Sequence, residues 1–194
     1  MIAAVVLAAG ASRRMGRAKM LLPLPGGKSV LAASVEPLLE AGLDRVVVVL
    51  GGEAERVRRE AGLPEDPRVR LVVNERWREG LSASLRCGLD GASDAEALLV
   101  VLGDQPGITA ERVRRIVAAY SPGAPLVVPV QGSQPGHPVL FSRQLFGELE
   151  ALAGDVGARE VVRRHWDEAV RLELPPLPDL DTPEDYRAFG GADQ

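Results

Sequence analysis

Two short segments of this sequence carry residue types that could do chemistry at a phosphate. The first follows an opening apolar run and reads Gly10-Ala11-Ser12-Arg13-Arg14-Met15-Gly16-Arg17-Ala18-Lys19. A glycine-bearing turn at a strand's carboxyl end lets backbone N–H groups face an anion, and the cations beside it suit a triphosphate or a departing pyrophosphate. Neither common phosphate fingerprint is present. The G-x-G-x-x-G spacing is missing, and the Walker pattern fails because Gly10 to Gly16 is one residue too long and Arg17 stands at the lysine position. By spacing alone the segment reads equally as a phosphate loop and as a plain strand-to-loop turn with solvated arginines. The second segment, Gly103-Asp104-Gln105-Pro106, also follows an apolar run, so Asp104 projects from a strand's carboxyl end. A carboxylate there either forms the turn or ligates Mg²⁺, which takes one or two protein carboxylates plus phosphate oxygens and water.

The elements that must hold these segments alternate along the chain. Short β-branched runs at 2–7, 45–50, 68–73, 97–102 and 126–130 predict strands, several of them apolar on consecutive positions. Helical patterns fill 29–41, 53–60, 80–89, 109–120, 142–152, 158–164 and 182–189. Continuous apolar strands separated by helices imply a mostly parallel central sheet covered on both faces, an α/β, Rossmann-like fold. The last helix has a clear start, with Thr182 to cap, Pro183 in the first turn, and Glu184 and Asp185 at the positive end of the dipole. Gly27-Lys28-Ser29 reads as a loop and helix start. Loops at 132–138 and 174–178 are rich in glycine or proline and lie where such loops frame a ligand crevice.

Composition narrows the partners. The 194 residues, 46% hydrophobic, suffice for one domain spanning 1–194 with a substantial core. A formal charge of -4 argues against broad nucleic-acid binding, which needs a basic face. No apolar run is long enough to span a bilayer. The run Met1 to Leu7 lacks a basic leader and ends in a glycine turn, so it reads as a strand, and a cytoplasmic location is expected. The single cysteine, Cys87, reads as a buried helix-face residue in a reduced compartment. Lys19 and Lys28 are the only lysines, which draws attention to each.

The motif Leu7-Ala8-Ala9-Gly10-x-Ser12-x-Arg14-Met15-Gly16-x-x-Lys19 resembles the signature of the MobA/MocA-like nucleotidyltransferases. Further segments agree in order: Asn74-x-x-Trp77-x-x-Gly80-Leu81-Ser82-Ala83-Ser84-Leu85-Arg86, Gly103-Asp104-Gln105-Pro106, Gly136-His137-Pro138-Val139-Leu140-Phe141, Gly154-Asp155-Val156-Gly157-Ala158-Arg159 and Asp179-Leu180-Asp181-Thr182-Pro183-Glu184-Asp185. The Gly-His-Pro and Gly-Asp-x-Gly-Ala-Arg segments favour the MocA branch, the molybdenum cofactor cytidylyltransferases.

That resemblance implies a nucleotide-diphospho-sugar transferase-like fold and a set of roles. Asp104 and Asp181 would hold Mg²⁺, with Asp179 as the alternative second ligand and helix capping as the competing duty of Asp181. Leu7, Ala8, Ala9, Gly10, Ser12 and Gly16 of the first loop, with Gly80, Ser82 and Ser84, would bind the nucleotide. Arg14, Lys19 and Asp104 would serve catalysis. Gln105, Gly136, His137 and Pro138 would meet the acceptor. Ala9 favours CTP over GTP, since the branch's Leu-Ala-Ala-Gly goes with cytidine. The acceptor implied is a phosphorylated pterin, with handover of the product to a molybdoenzyme. GTP, another phosphorylated acceptor such as an isoprenoid or sugar phosphate, or a noncatalytic role as a cofactor-binding chaperone are the competing readings. Trp77 either shapes the acceptor pocket or plugs the core, Asp155 and Arg159 pair or cap the following helix, with acceptor binding as their alternative duty, and His165 packs at the surface.

Overall fold

A computed structural model describes residues 1–10, 15 and 18–191. Four strands, β1 (Ile2–Ala8), β2 (Arg45–Leu50), β3 (Val69–Val73) and β4 (Ala97–Leu102), pair in parallel in the order β3-β2-β1-β4. The sequence pattern explains why this centre is buried on both sides. Along β1, Ala3, Val5 and Leu7 join one apolar cluster, while Ala4, Val6 and Ala8 join the other. A strand whose alternate residues face two separate cores has no polar face to offer. The mostly parallel α/β architecture expected from the sequence is therefore present.

Helices α1 (Val30–Glu40), α2 (Ala54–Glu60) and α3 (Leu81–Asp90) connect these strands, and α4 (Ala110–Ala119) follows β4. Two begin on hydroxyl caps: Ser29 accepts from Ala32 N at 3.0 Å and Thr109 from Arg112 N at 3.2 Å. Cys87 lies on α3 against one core, and burial, with Asp90 nearby, pushes its thiol pKa up.

Beyond β4 the sheet departs from the sequence pattern. Strands β5 (Leu126–Gln131), β6 (Gln134–Pro135), β7 (Val139–Ser142) and β8 (Val170–Glu173) complete it. Of these only β5 was expected. Strand β7 lies antiparallel between β4 and β5, β6 pairs antiparallel with the end of β5, and β8 pairs parallel with β5. Each is two to four residues long, too short for a periodic signal. The expected helix over 142–152 is correspondingly shorter: Ser142 ends β7, and α5 covers Phe146–Glu150 after a 3-10 turn.

The two remaining helices are α6 (Arg159–Arg164) and α7 (Pro183–Ala188). Thr182 and Asp185 form a reciprocal capping box at the start of α7. His165 follows α6 and its ring bridges Glu148 and Glu168, a surface packing role. No helix among the described residues is long and apolar enough to cross a membrane.

Candidate functional site

Parallel sheets place their ligand crevice at the carboxyl ends of strands, where the strand order reverses. Here the chain moves outward from β1 to β2 and β3, then returns to β4 on the other side of β1. Gly103 N donates to Leu7 O at 3.0 Å, so the segment after β4 lies against the end of β1. Leu180 N donates to Asp104 O at 3.1 Å, which ties the approach to α7 to the same point. Three segments that are remote in sequence thus meet at one crevice.

Lys19 is where they join. It opens a 3-10 turn, Lys19–Leu21, and its side chain is only 10% exposed. Nζ donates to Asp104 Oδ2 at 2.6 Å and to Asp181 Oδ1 at 3.0 Å. Burial alone would lower its pKa. The charge and hydrogen bonds of the two aspartates outweigh that and hold the pKa above the usual lysine value, so the group remains an ammonium near neutrality. Capping, the competing duty of Asp181, is performed by its neighbours: Asp185 Oδ2 accepts from Asp181 N at 3.2 Å and from Thr182 N at 2.8 Å. That leaves the Asp181 side chain on Lys19.

Asp179, one alternation away along the same segment, faces elsewhere. Its Oδ1 accepts from Gln105 Nε2 at 2.7 Å. The two segments therefore split the same way: Asp104 and Asp181 meet Lys19, whereas Gln105 and Asp179 meet each other. The latter pair lines a cleft of about 300 Å³ together with Gly136, His137, Arg159 and Leu177. Gln105 is 4% exposed. Because its amide nitrogen faces Asp179, its Oε1 is a buried acceptor with no partner among the described residues, and His137 Nδ1 likewise has none among them. Burial pushes the His137 pKa down, with Asp179 and the Val100 backbone opposing, so the ring is neutral near pH 7. Gly136 and His137 line the cleft, and Pro138, buried, follows through a cis peptide bond.

Two carboxylates converging on one cation offer the hard oxygen donors that Mg²⁺ or Mn²⁺ prefers. No cluster of three or more His, Cys, Asp or Glu suited to a metal occurs among the described residues. A metal held by two aspartates would leave its remaining coordination positions to phosphate oxygens and water.

On the other side of the crevice, Ala8, Ala9 and Gly10 line a narrow recess with Gly51, Gly52 and Glu53. Gly51 and Gly52, at the end of β2, were not singled out in the sequence, although a glycine pair after an apolar strand is a signal for close backbone approach. A Cβ on Gly51 would lie 2.4 Å from Ala9 O. The contact is with backbone, which no rotamer change relieves. Gly51→Ala is expected to cost about 2 kcal/mol and lower the melting temperature by about 4–8 °C. Thermal unfolding checks this, and an unchanged midpoint removes the close-approach argument. Trp77 packs its ring edge against Gly52 and the core, with the Arg78 guanidinium 4.4 Å from the ring centroid. It belongs with the Gly51–Gly52 side of the crevice and the core, and is not among the residues that line the Gln105 cleft.

In the segment opening α3, Gly80 adopts φ 107°, and a Cβ there would lie 2.5 Å from the Gly154 backbone. Ser82 Oγ donates to Gly154 O at 2.7 Å, and Ser84 Oγ accepts from Asn74 Nδ2 at 3.1 Å. Both serines are buried, and their hydroxyls brace the segment. Asp155 Oδ1 accepts from Leu81 N at 3.3 Å, at the start of α3. Leu7 is buried and offers its carbonyl to Gly103. Arg14, Ser12 and Gly16, with Arg13 and Arg17, lie outside the described residues.

Arg112 was also missed. It is buried on α4, donates to His137 O from Nε at 3.2 Å and Nη2 at 2.8 Å, and donates to Pro175 O at 2.6 Å. One guanidinium thus holds both loops that flank the Gln105 cleft. A spaced arginine on an amphipathic helix gives no local hint of this. Arg112→Met leaves two inward carbonyls unpaired, at about 1–3 kcal/mol each. The expected result is a melting temperature lower by about 4 °C or more, measured by thermal unfolding. An unchanged midpoint would show that the guanidinium does not hold the two loops.

Comparison with known proteins places this arrangement. The model of the MobA-like NTP transferase domain matches residues 4–170, so the 179–181 segment lies beyond the matched stretch. A nicotine blue oxidoreductase of Paenarthrobacter nicotinovorans is 34% identical, the match covering 84% of this chain and 82% of that protein. The molybdenum cofactor cytidylyltransferase of Escherichia coli (strain K12) is 26% identical, covering 94% and 92%. The crystal structure of Rv0371c from Mycobacterium tuberculosis H37Rv superposes with a TM-score of 0.84 at 36% identity, covering 96% of each chain. A complex of Rv0371c with manganese gives 0.80 at 34% identity, covering 97% of each.

Proposed function

The chain belongs to the MobA-like NTP transferase family, and from that premise we propose that it transfers CMP from CTP to the phosphate of molybdopterin, or of its molybdenum-loaded form, with release of pyrophosphate. The observation that carries the reading is the bonding of Lys19 to both Asp104 and Asp181, one residue away from a cleft built on Gln105 and Asp179.

The chemistry is in-line attack by a terminal phosphate oxygen of the acceptor on the α-phosphorus of the nucleotide. A phosphomonoester is already largely ionised near neutrality, so this attack needs no general base, and the neutral His137 is left to binding. Catalysis then comes from positioning and charge neutralisation. Asp104 and Asp181 would hold Mg²⁺, which when bound neutralises charge on the triphosphate. Lys19 supplies a cation to the departing pyrophosphate, and Arg14 joins it in that role. Gly10, Ser12 and Gly16 offer backbone or hydroxyl donors to the phosphates. Gln105, Gly136, His137 and Pro138 orient the acceptor so that its phosphate reaches toward Asp104.

For the base, Ala8 and Ala9 beside Gly51 and Gly52 leave a tight recess, which favours a pyrimidine; the cytidylyltransferase relative supports that choice. The product would pass to a molybdoenzyme. Guanylyl transfer and transfer to a different phosphorylated acceptor remain alternatives on the same scaffold. The similarity to nicotine blue oxidoreductase favours a second reading, an oxidoreductase on the same scaffold.

One incubation separates these. Purified protein with Mg²⁺, molybdopterin and either CTP or GTP is expected to yield a cytidylylated product by mass spectrometry. A guanylylated product would overturn the base assignment. Absence of any nucleotide adduct, with a change in the redox state of nicotine blue in a parallel assay, would favour the redox reading. Tight binding of finished cofactor without turnover, unaffected by Asp104→Asn, would favour the chaperone.

A further inference from the structure

The only two lysines of the sequence are placed very differently. Lys28 pairs with Glu36 at the surface, its side chain 57% exposed. Lys19 is 10% exposed and bonded to both aspartates that, on the reading above, ligate the divalent cation. Those bonds have a consequence for metal binding. A Mg²⁺ ligand oxygen lies about 2.1 Å from the ion, and an ammonium hydrogen-bonded to the same oxygens would be held within a few ångströms of a dication. At that separation the repulsion is large in a partly buried site.

We infer that Lys19 and the divalent cation compete for Asp104 and Asp181, so that metal entry moves the lysine arm off the carboxylates and toward the nucleotide phosphates. The backbone does not have to follow. It is pinned by Leu21 N to Ala18 O at 3.0 Å and Leu22 N to Lys19 O at 3.2 Å, and the neighbouring Met20 is buried. The flexible stem of Lys19 carries the change. Metal alone therefore binds weakly, because it must displace an ion pair. Nucleotide strengthens it, because phosphate oxygens receive the displaced ammonium. The two ligands are positively coupled, and Lys19 carries much of that coupling.

The inference rests on the proposed metal role of Asp104 and Asp181, and two measurements with metal alone test it. First, Mn²⁺ binding followed by electron paramagnetic resonance in the absence of nucleotide is expected to be about tenfold tighter in Lys19→Met than in the wild-type protein. Second, acetylation of wild-type protein with an amine-reactive ester, read by peptide mass spectrometry, uses Lys28 as an internal reference. Saturating Mn²⁺ is expected to raise the Lys19 to Lys28 ratio several-fold, and chelation to reverse it. The second measurement needs no variant and stands if Lys19→Met does not fold. Mn²⁺ bound by the wild type with no change in the acetylation ratio, or bound equally or less tightly by folded Lys19→Met, overturns the inference alone. No Mn²⁺ bound by either protein removes the metal reading and this inference with it.

Discussion

Asp104→Asn is expected to lower nucleotidyl transfer by about a thousandfold, the scale on which loss of one preorganised charge at a phosphoryl centre is felt. The change is isosteric and keeps the Asp104 carbonyl that accepts from Leu180 N, so the path of the 179–181 segment is preserved. What is lost is one of the two carboxylates on Lys19. The pair is not fully buried, since the Asp104 side chain is 20% exposed, and Lys19 retains Asp181. Its stability cost therefore falls below the about 3–5 kcal/mol of a fully buried broken pair, at about 1–2 kcal/mol, or about 2–8 °C in melting temperature. Pyrophosphate release at saturating substrates, measured well below that midpoint, reads the catalytic loss separately from unfolding. A rate within about tenfold of wild type would show that Asp104 does not work at the reacting phosphates.

Lys19→Ala is expected to reduce turnover by about a hundredfold or more, because the cation that meets the leaving pyrophosphate is gone. Its effect on stability differs in kind. The substitution leaves Asp104 and Asp181 converging on the place of a removed charge, and like charges in a partly buried site repel. The variant should therefore melt below wild type in chelator and regain more of its midpoint on addition of Mg²⁺ than wild type does. Thermal unfolding with and without Mg²⁺, beside pyrophosphate release, distinguishes this from simple loss of packing. Near-normal turnover in Lys19→Ala would remove its role at the phosphates, and an Mg²⁺ effect equal to that of wild type would indicate that the two aspartates do not share a cation.

Much of the fold is legible in the sequence because it is local. The consecutive apolar residues of β1, β2 and β4 admit only a strand covered on both faces, and Ser29, Thr109 and Thr182 each announce the helix that they cap. The edge of the sheet was not legible. Strand β7 is held by its register between β4 and β5, and β8 by its pairing with β5; neither segment is long enough to declare itself.

For the candidate site, the sequence by itself determined the inventory: a glycine turn after β1 ending in Lys19, an aspartate beyond β4, and an acidic stretch before a capped helix. Tertiary structure decided which of these face one another. Residues 179 and 181 lie on a segment without regular secondary structure, and the sequence holds no register to say which of them turns toward Lys19. That choice follows from the bond of Leu180 N to Asp104 O and from the capping box that fixes the Asp181 backbone. The inward turn of Ser82 and Ser84, the close approach of Gly51 to Ala9, and the grip of Arg112 on two loops were decided in the same way. Each is a contact between segments far apart in the chain, and local propensity carries no information about such contacts until the sheet has brought the segments together.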